Sequence, residues 1–220
     1  MVGIALCFVP LIIAVLLFRF TFKLKISHQL IAILLGLLAV LPISFIQYFL
    51  PDIPFIASMP LLKTLLKSLI LYGLVEELIK MIVAIPLPHK EYTKLSFLFL
   101  AFVMGLALGC FESVVYYFDH LQKANTKGAE LLYGMIAARI FSSDLIHMSC
   151  MGLSGLFLYS KREKETQISC FIMAVLLHGI YDFFAGFSNN LKWFSIAVVL
   201  LSIAECRIKY ISQQKGKETT

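Results

Sequence analysis

Apolar residues in this chain come in long unbroken runs, such as 30–41 and 196–203, and not at strand-like alternation. A helix that is apolar all round has no polar face to turn to water, so it is buried in protein or in lipid. A bilayer core about 30 Å thick asks for roughly 20 apolar residues at about 1.5 Å each. By that measure the runs predict seven spans, near 1–21, 28–50, 61–87, 95–118, 131–159, 168–186 and 193–206. Pro51, Pro54 and Pro60 separate the second span from the third, and Pro86 and Pro88 end the third. Polar loops are expected at 125–128 and 161–165. Inside lipid every backbone N–H and C=O needs an internal partner, which leaves helices or a closed barrel. A barrel would alternate apolar and polar residues in segments of about ten, and these runs do not. The expected fold is all-α, a polytopic transmembrane bundle of about seven helices forming a single domain over 1–220.

Composition agrees. Hydrophobic residues make up 60% of the chain and charged residues 15%, with a mean hydropathy of +0.89. Soluble domains are about 45–50% apolar and about 25% charged, so polar surface could not cover this chain in water. The first run lacks a basic start and a small-residue cleavage site, and reads as a true span and not a signal peptide. Cys7, Cys110, Cys150, Cys170 and Cys206 are scattered without a CxxC spacing and read as small buried hydrophobes.

The net charge of +6 has a topological reading. Twelve Lys and Arg fall in loops on one side: Arg19, Lys23, Lys25, Lys90, Lys94, Lys161, Arg162, Lys164, Arg207, Lys209, Lys215 and Lys217. Five fall on the other: Lys63, Lys67, Lys123, Lys127 and Lys192. The richer side is expected to be cytoplasmic, which places the N-terminus outside and the basic tail 207–220 inside. No basic patch with interleaved aromatics points to nucleic acid.

Nine polar residues interrupt the spans: Glu76, Glu77, Lys80, Glu112, Arg139, Asp144, His147, His178 and Asp182. A charge at the centre of a membrane helix costs about 2.5–3.5 kcal/mol even on the lenient insertion scale. These side chains must therefore meet each other, or water, inside the bundle. Their spacing supports one site. Glu76 and Lys80 are four apart and expected to pair, as are His178 and Asp182. Gly105, Gly109, Glu112 and Tyr116 share a stripe on which small residues admit a neighbouring helix. Counting helical rise from the span ends puts both histidines at similar depth, Glu76 and Glu77 near mid-membrane, and Glu112 and Asp182 nearer the outer face. Five acids against two bases means that one carboxyl stays protonated or binds a cation. Arg139 and Asp144 read as a buried pair or a substrate contact.

These residues also form a pattern. Glu76-Glu77-Leu-Ile-Lys80 resembles the EExxK signature of the PrsW family of intramembrane peptidases. Glu112 followed by Tyr116 resembles that family's second motif, His147 stands where the family has a histidine on the next helix, and His178-Gly-Ile-Tyr-Asp182 is similar to its HGxxD motif. Where the family often has asparagine after the second-motif glutamate, this chain has Ser113. The resemblance implies a multi-pass protease of the bacterial cytoplasmic membrane that cleaves membrane-anchored proteins such as anti-sigma factors. It also implies kinship with CAAX prenyl endopeptidases and with bacteriocin-processing or immunity proteins. It implies that a glutamate activates water, Glu76 in preference to Glu77, with Lys80 holding the partner carboxylate ionised. His147 and His178 are then expected to stabilise the oxyanion or protonate the leaving amine, Asp182 to orient His178, and Tyr116 to bond Glu112. A divalent metal such as zinc, held by His147, His178 and Glu112, is the alternative to a metal-free site. Two other functions compete: a proton- or cation-coupled transporter, whose path buried acids and histidines would also serve, and a non-catalytic immunity-type binding protein.

Overall fold

A computed structural model describes residues 2–49, 59–127, 130–165 and 167–218, with side chains to 121 in the fourth helix and to 214 in the last. Pro51, Pro54 and Gly128 lie outside these residues. The described chain is helical throughout, with no strand. Seven rods run in order: α1 (Val2–Thr21), α2 (Ile26–Phe49), α3 (60–83), α4 (Lys94–Lys127), α5 (Glu130–Arg162), α6 (Ile168–Ala185) and α7 (Phe194–Glu218). Five of them, α1, α2, α4, α5 and α6, are long and apolar enough to cross a membrane. The third carries Lys63, Lys67, Glu76, Glu77 and Lys80, and α7 carries Glu205, Arg207 and Lys209, so composition alone does not mark these two. Two expected boundaries move. The loop placed at 125–128 is helical as far as Lys127, and α7 continues past Cys206 to Glu218.

Three rods are interrupted, each for a local reason. A turn at Phe8 divides α1 just ahead of Pro10, which lacks the N–H that would continue the ladder. The third rod changes winding twice. It is α-helical over Pro60–Lys67, π-helical over Ser68–Val75 and α-helical again over Glu76–Val83. A π-turn widens the helix and rotates the side chains beyond it, and such turns gather at functional sites. Finally, α5 breaks at Phe141–Ser142, between Glu130–Ile140 and Ser143–Arg162.

Helices α4 and α5 form the buried centre, with 67% and 72% of their most apolar windows covered against 28% in α1 and α2. Helices α1 and α2 cover one side of α4, while α6 packs on α3 and α5, and α7 on α5 and α6. Phe97, Leu100, Met104 and Ala107 of α4 meet the outer pair, and Ile146, Leu153 and Leu156 of α5 meet α6 and α7. All five cysteines are buried and free, as expected. The bends between α1 and α2 and between α3 and α4 meet the end of α5 at one pole of the bundle. There Lys25 Nζ reaches Glu91 at 2.5 Å, His28 Nδ1 bonds Tyr92 Oη at 2.7 Å, and Arg162 Nη1 donates to the Leu87 carbonyl at 3.0 Å.

Glycine sets the closest approach in the bundle. A Cβ on Gly73 of α3 would lie 2.5 Å from the Val175 carbonyl oxygen, and one on Gly179 of α6 would lie 2.7 Å from Leu69 Cα. The two backbones therefore touch, and this contact brings Glu77 to His178. Gly179→Val should cost about 1–3 kcal/mol by overpacking. It should lower the thermal midpoint of the purified protein. Gly134→Ala, whose Cβ meets nothing within 4 Å, should leave that midpoint unchanged or raise it.

Candidate active site

The polar residues of four helices converge. Glu76, Glu77 and Lys80 come from α3, Glu112 from α4, His147 from α5, and His178 and Asp182 from α6. Four of them, Glu76, Glu112, His178 and Asp182, face a cavity of about 500 Å³ lined also by Gln47, Tyr72, Tyr116, Arg139, Ser143, Tyr181, Ala185 and Gly186. Its rim lies by Tyr116 and Gly186, at the opposite end of the bundle from the Lys25–Glu91 pole.

The adjacent glutamates have different surroundings. Glu77 is fully buried. Its Oε1 accepts from His178 Nδ1 at 2.7 Å, its Oε2 accepts from Ser154 Oγ at 3.1 Å, and it forms an ion pair with Lys80 Nζ. The expected Glu76–Lys80 pair is thus replaced by Glu77–Lys80, one position closer. Glu76 turns instead to the cavity. Its Oε1 accepts from Gln47 Nε2 at 2.8 Å and its Oε2 lies 3.7 Å from His178 Nε2.

A carboxylate only accepts, so the Glu77 contact puts a His178 proton on Nδ1, and in the neutral imidazole Nε2 is then a bare lone pair. That lone pair faces two further acceptors, Glu76 Oε2 and, at 3.4 Å, Asp182 Oδ2. The orienting partner of His178 is therefore Glu77, while Asp182, expected in that role, stands on the cavity side. His147 repeats the arrangement. Its Nε2 meets Glu112 Oε2 at 2.9 Å, and its Nδ1 is buried with no partner among the described residues. The two imidazoles stand edge to face, 4.8 Å between centroids.

A second charged cluster fixes Glu112. Arg139 Nη2 donates to Glu112 at 2.5 Å and to Ser143 Oγ at 2.7 Å, and its Nε donates to Ser113 Oγ at 2.9 Å. Ser113 in turn donates to Asp144 Oδ1 at 2.9 Å. Arg139 and Asp144 are thus joined through the Ser113 hydroxyl and not as a direct pair. Tyr116, expected to bond Glu112, stacks under the guanidinium with its ring centroid 3.9 Å away. Close approach of α4 to α5 makes this possible, since a Cβ on Gly109 would sit 2.9 Å from Asp144 Cα.

A family model described as PrsW family intramembrane metalloprotease matches residues 25–204. The chain belongs to the PrsW family. It is therefore a multi-pass, membrane-embedded peptidase. Comparison with curated proteins found no match, and comparison with solved structures found none either. The PrsW match begins at the end of the first bend, so α1 lies outside it, and every residue of the cavity lies within it.

The family's description implies a metal, and the residues present fit one. Glu76, His147 and His178 each offer a ligand atom, all within 4.8 Å of one another. All three are buried acceptors, and the orphaned His147 Nδ1 has no donor to satisfy it. Two histidines and a carboxylate form a known catalytic zinc set. The carboxylate of the set is Glu76, where Glu112 was expected; Glu112 instead holds His147 from behind.

Gln47, Tyr72, Ser143 and Ser154 were not foreseen. Gln47 had the one usable signal, an amide, one of two with Gln29, in a largely apolar span. The paired charges yield a stability test. Lys80→Met leaves Glu77 buried without its cation and should cost about 3–5 kcal/mol. The double change Lys80→Met/Glu77→Gln should recover much of that loss in a thermal melt.

Proposed function

We propose that this peptidase hydrolyses peptide bonds of membrane-anchored proteins, anti-sigma factors among them, in the cavity lined by Glu76 and His178, with His147 packed against His178. The observation that carries the reading is the division between the two glutamates. Glu77 is saturated by Lys80, His178 and Ser154, so it holds and does not react. Glu76 keeps one oxygen on the cavity and is the carboxylate that meets water. It takes a proton from that water as the oxygen attacks the scissile carbonyl. The proton then passes to the leaving amine as the C–N bond breaks. Arg139 and Tyr72 are the donors that line the cavity for the developing oxyanion, the Ser143 hydroxyl being spent on Glu112. His178 lines the cavity with Nε2 near two acceptors, and His147 Nδ1 is buried without a donor among the described residues; such nitrogens suit accepting better than the oxyanion role expected of them.

Those bare nitrogens favour a second division of labour at the same site. Glu76, His147 and His178 would hold a divalent ion such as zinc, which when bound supplies Lewis acidity. With Glu76 so engaged and Glu112 held by Arg139 and His147, Asp182 is the cavity carboxylate left to take the proton.

The charge asymmetry of the loops orients the cavity toward the non-cytoplasmic face, where water enters. The transport reading asks for a polar path to the opposite face. Toward that face the space between α4 and α5 is filled by Phe97, Ala101, Met151 and Leu158. An immunity-type binder would keep its partner after loss of Glu76.

The test is cleavage of a single-span reporter protein tagged on both sides of the membrane. Glu76→Gln should lower kcat by about 10²–10⁴-fold, and Glu77→Gln by about 10–100-fold through misorientation of His178. Full cleavage by Glu76→Gln would sink the assignment. Elemental analysis separates the two divisions of labour. If zinc is bound at one equivalent, Asp182→Asn should keep the metal and lose kcat. If activity persists in metal-free protein, Asp182→Asn should be the milder change.

A further inference from the structure

We infer that Gln47 of α2, which lies outside every motif of the chain, is a positioning residue for Glu76; the inference rests on Glu76 being the reacting or ligating carboxylate. Its Nε2 donates to Glu76 Oε1 at 2.8 Å and to the Leu71 carbonyl at 3.3 Å. Both partners are acceptors, which fixes the amide: the flipped form would set its oxygen against a carboxylate and a carbonyl. Both N–H bonds are thereby used. One is anchored to the backbone of the π-helical turn Ser68–Val75, and the other holds the first side chain after that turn. With Oε1 clamped, the Glu76 carboxylate can present only Oε2 to His178 Nε2. Glu77 needs no such clamp, because Lys80, Ser154 and His178 already hold it. The chain thus fixes the two neighbouring carboxylates by separate means, Glu77 through α3, α5 and α6, and Glu76 through α2.

A packing role and a donor role part company on substitution. Gln47→Met keeps length and volume and removes the donor, while Gln47→Leu removes the same donor with a shorter apolar side chain. Whichever of the two purifies as a folded protein gives the answer, using the doubly tagged single-span reporter. The donor role predicts kcat lowered about 10–100-fold, as for groups that orient a reacting or ligating side chain, with KM within about threefold of wild type. Gln29→Met, a buried glutamine on the same helix that bonds only the Leu24 carbonyl, should keep wild-type kcat. Wild-type kcat in a folded Gln47 variant overturns the inference, as does an equal loss in Gln29→Met. If Glu76→Gln itself retains activity, the reading of Glu76 falls instead, and the two failures are told apart in one set of assays.

Discussion

The structure depends on one constraint, that a full charge survives within a membrane-spanning helix only when it is paired and hydrogen-bonded. The Glu77–Lys80 pair is the extreme case, since both side chains are completely buried. Removing two ions from water costs several kcal/mol each, and mutual attraction offsets this only when the remaining lone pairs are also satisfied. Here Ser154 and His178 satisfy them, so helices α3, α5 and α6 are tied at one point. That tie fixes the depth of His178 and, with it, the floor of the cavity.

The tie needs helices closer than ordinary side chains permit. Without a hydrophobic drive between helices in lipid, small residues at the crossing let backbones approach and polar groups bond. Gly73 against Gly179, and Gly109 against Asp144, are those crossings. Each lies within about one turn of a site residue: Gly73 before Glu76, Gly109 before Glu112, Gly179 beside His178. The stripe Gly105, Gly109 and Glu112 was legible in the sequence because regular α-helical spacing holds along α4. So were the number of rods and the convergence of acids and histidines, since both follow from apolar run length and the cost of lone charges.

Other parts were not legible, for identifiable reasons. Regular α-helical geometry pairs Glu76 with Lys80, but each side chain goes where the bundle offers partners. Gln47 draws Glu76 toward α2, while Ser154 and His178 draw Glu77 inward beside Lys80. The π-helical turn just before Glu76 leaves no mark in the apolar pattern, because Ser68–Val75 is almost uniformly apolar. Gln47 and Ser154 are short-range partners from helices distant in sequence, and single polar residues of that kind are common in membrane helices. The group of ligand atoms that lie together also differs from the expected set. Glu112, expected to join His147 and His178, is beside His147, but Arg139 from the far side of the α5 break holds that carboxylate, and Glu76 is the acid grouped with the two histidines.

The buried charges divide into two circuits. In one, Glu77 is matched by Lys80 and ends on His178; in the other, Glu112 is matched by Arg139 and ends on His147. Each circuit contains one acid and one base, and each ends on the imidazole of one histidine. Asp144 is held apart by Ser113. Glu76, Asp182 and His178 Nε2 are left without a matching cation at the cavity, and His147 Nδ1 is buried close by, without a partner among the described residues. Charges that would cost most in lipid are thus neutralised in pairs, and acceptor capacity is left over at one place. An assembly of acceptors with no donor among them calls for a proton, a cation or a water at its centre, which is the setting that the proposed hydrolysis uses.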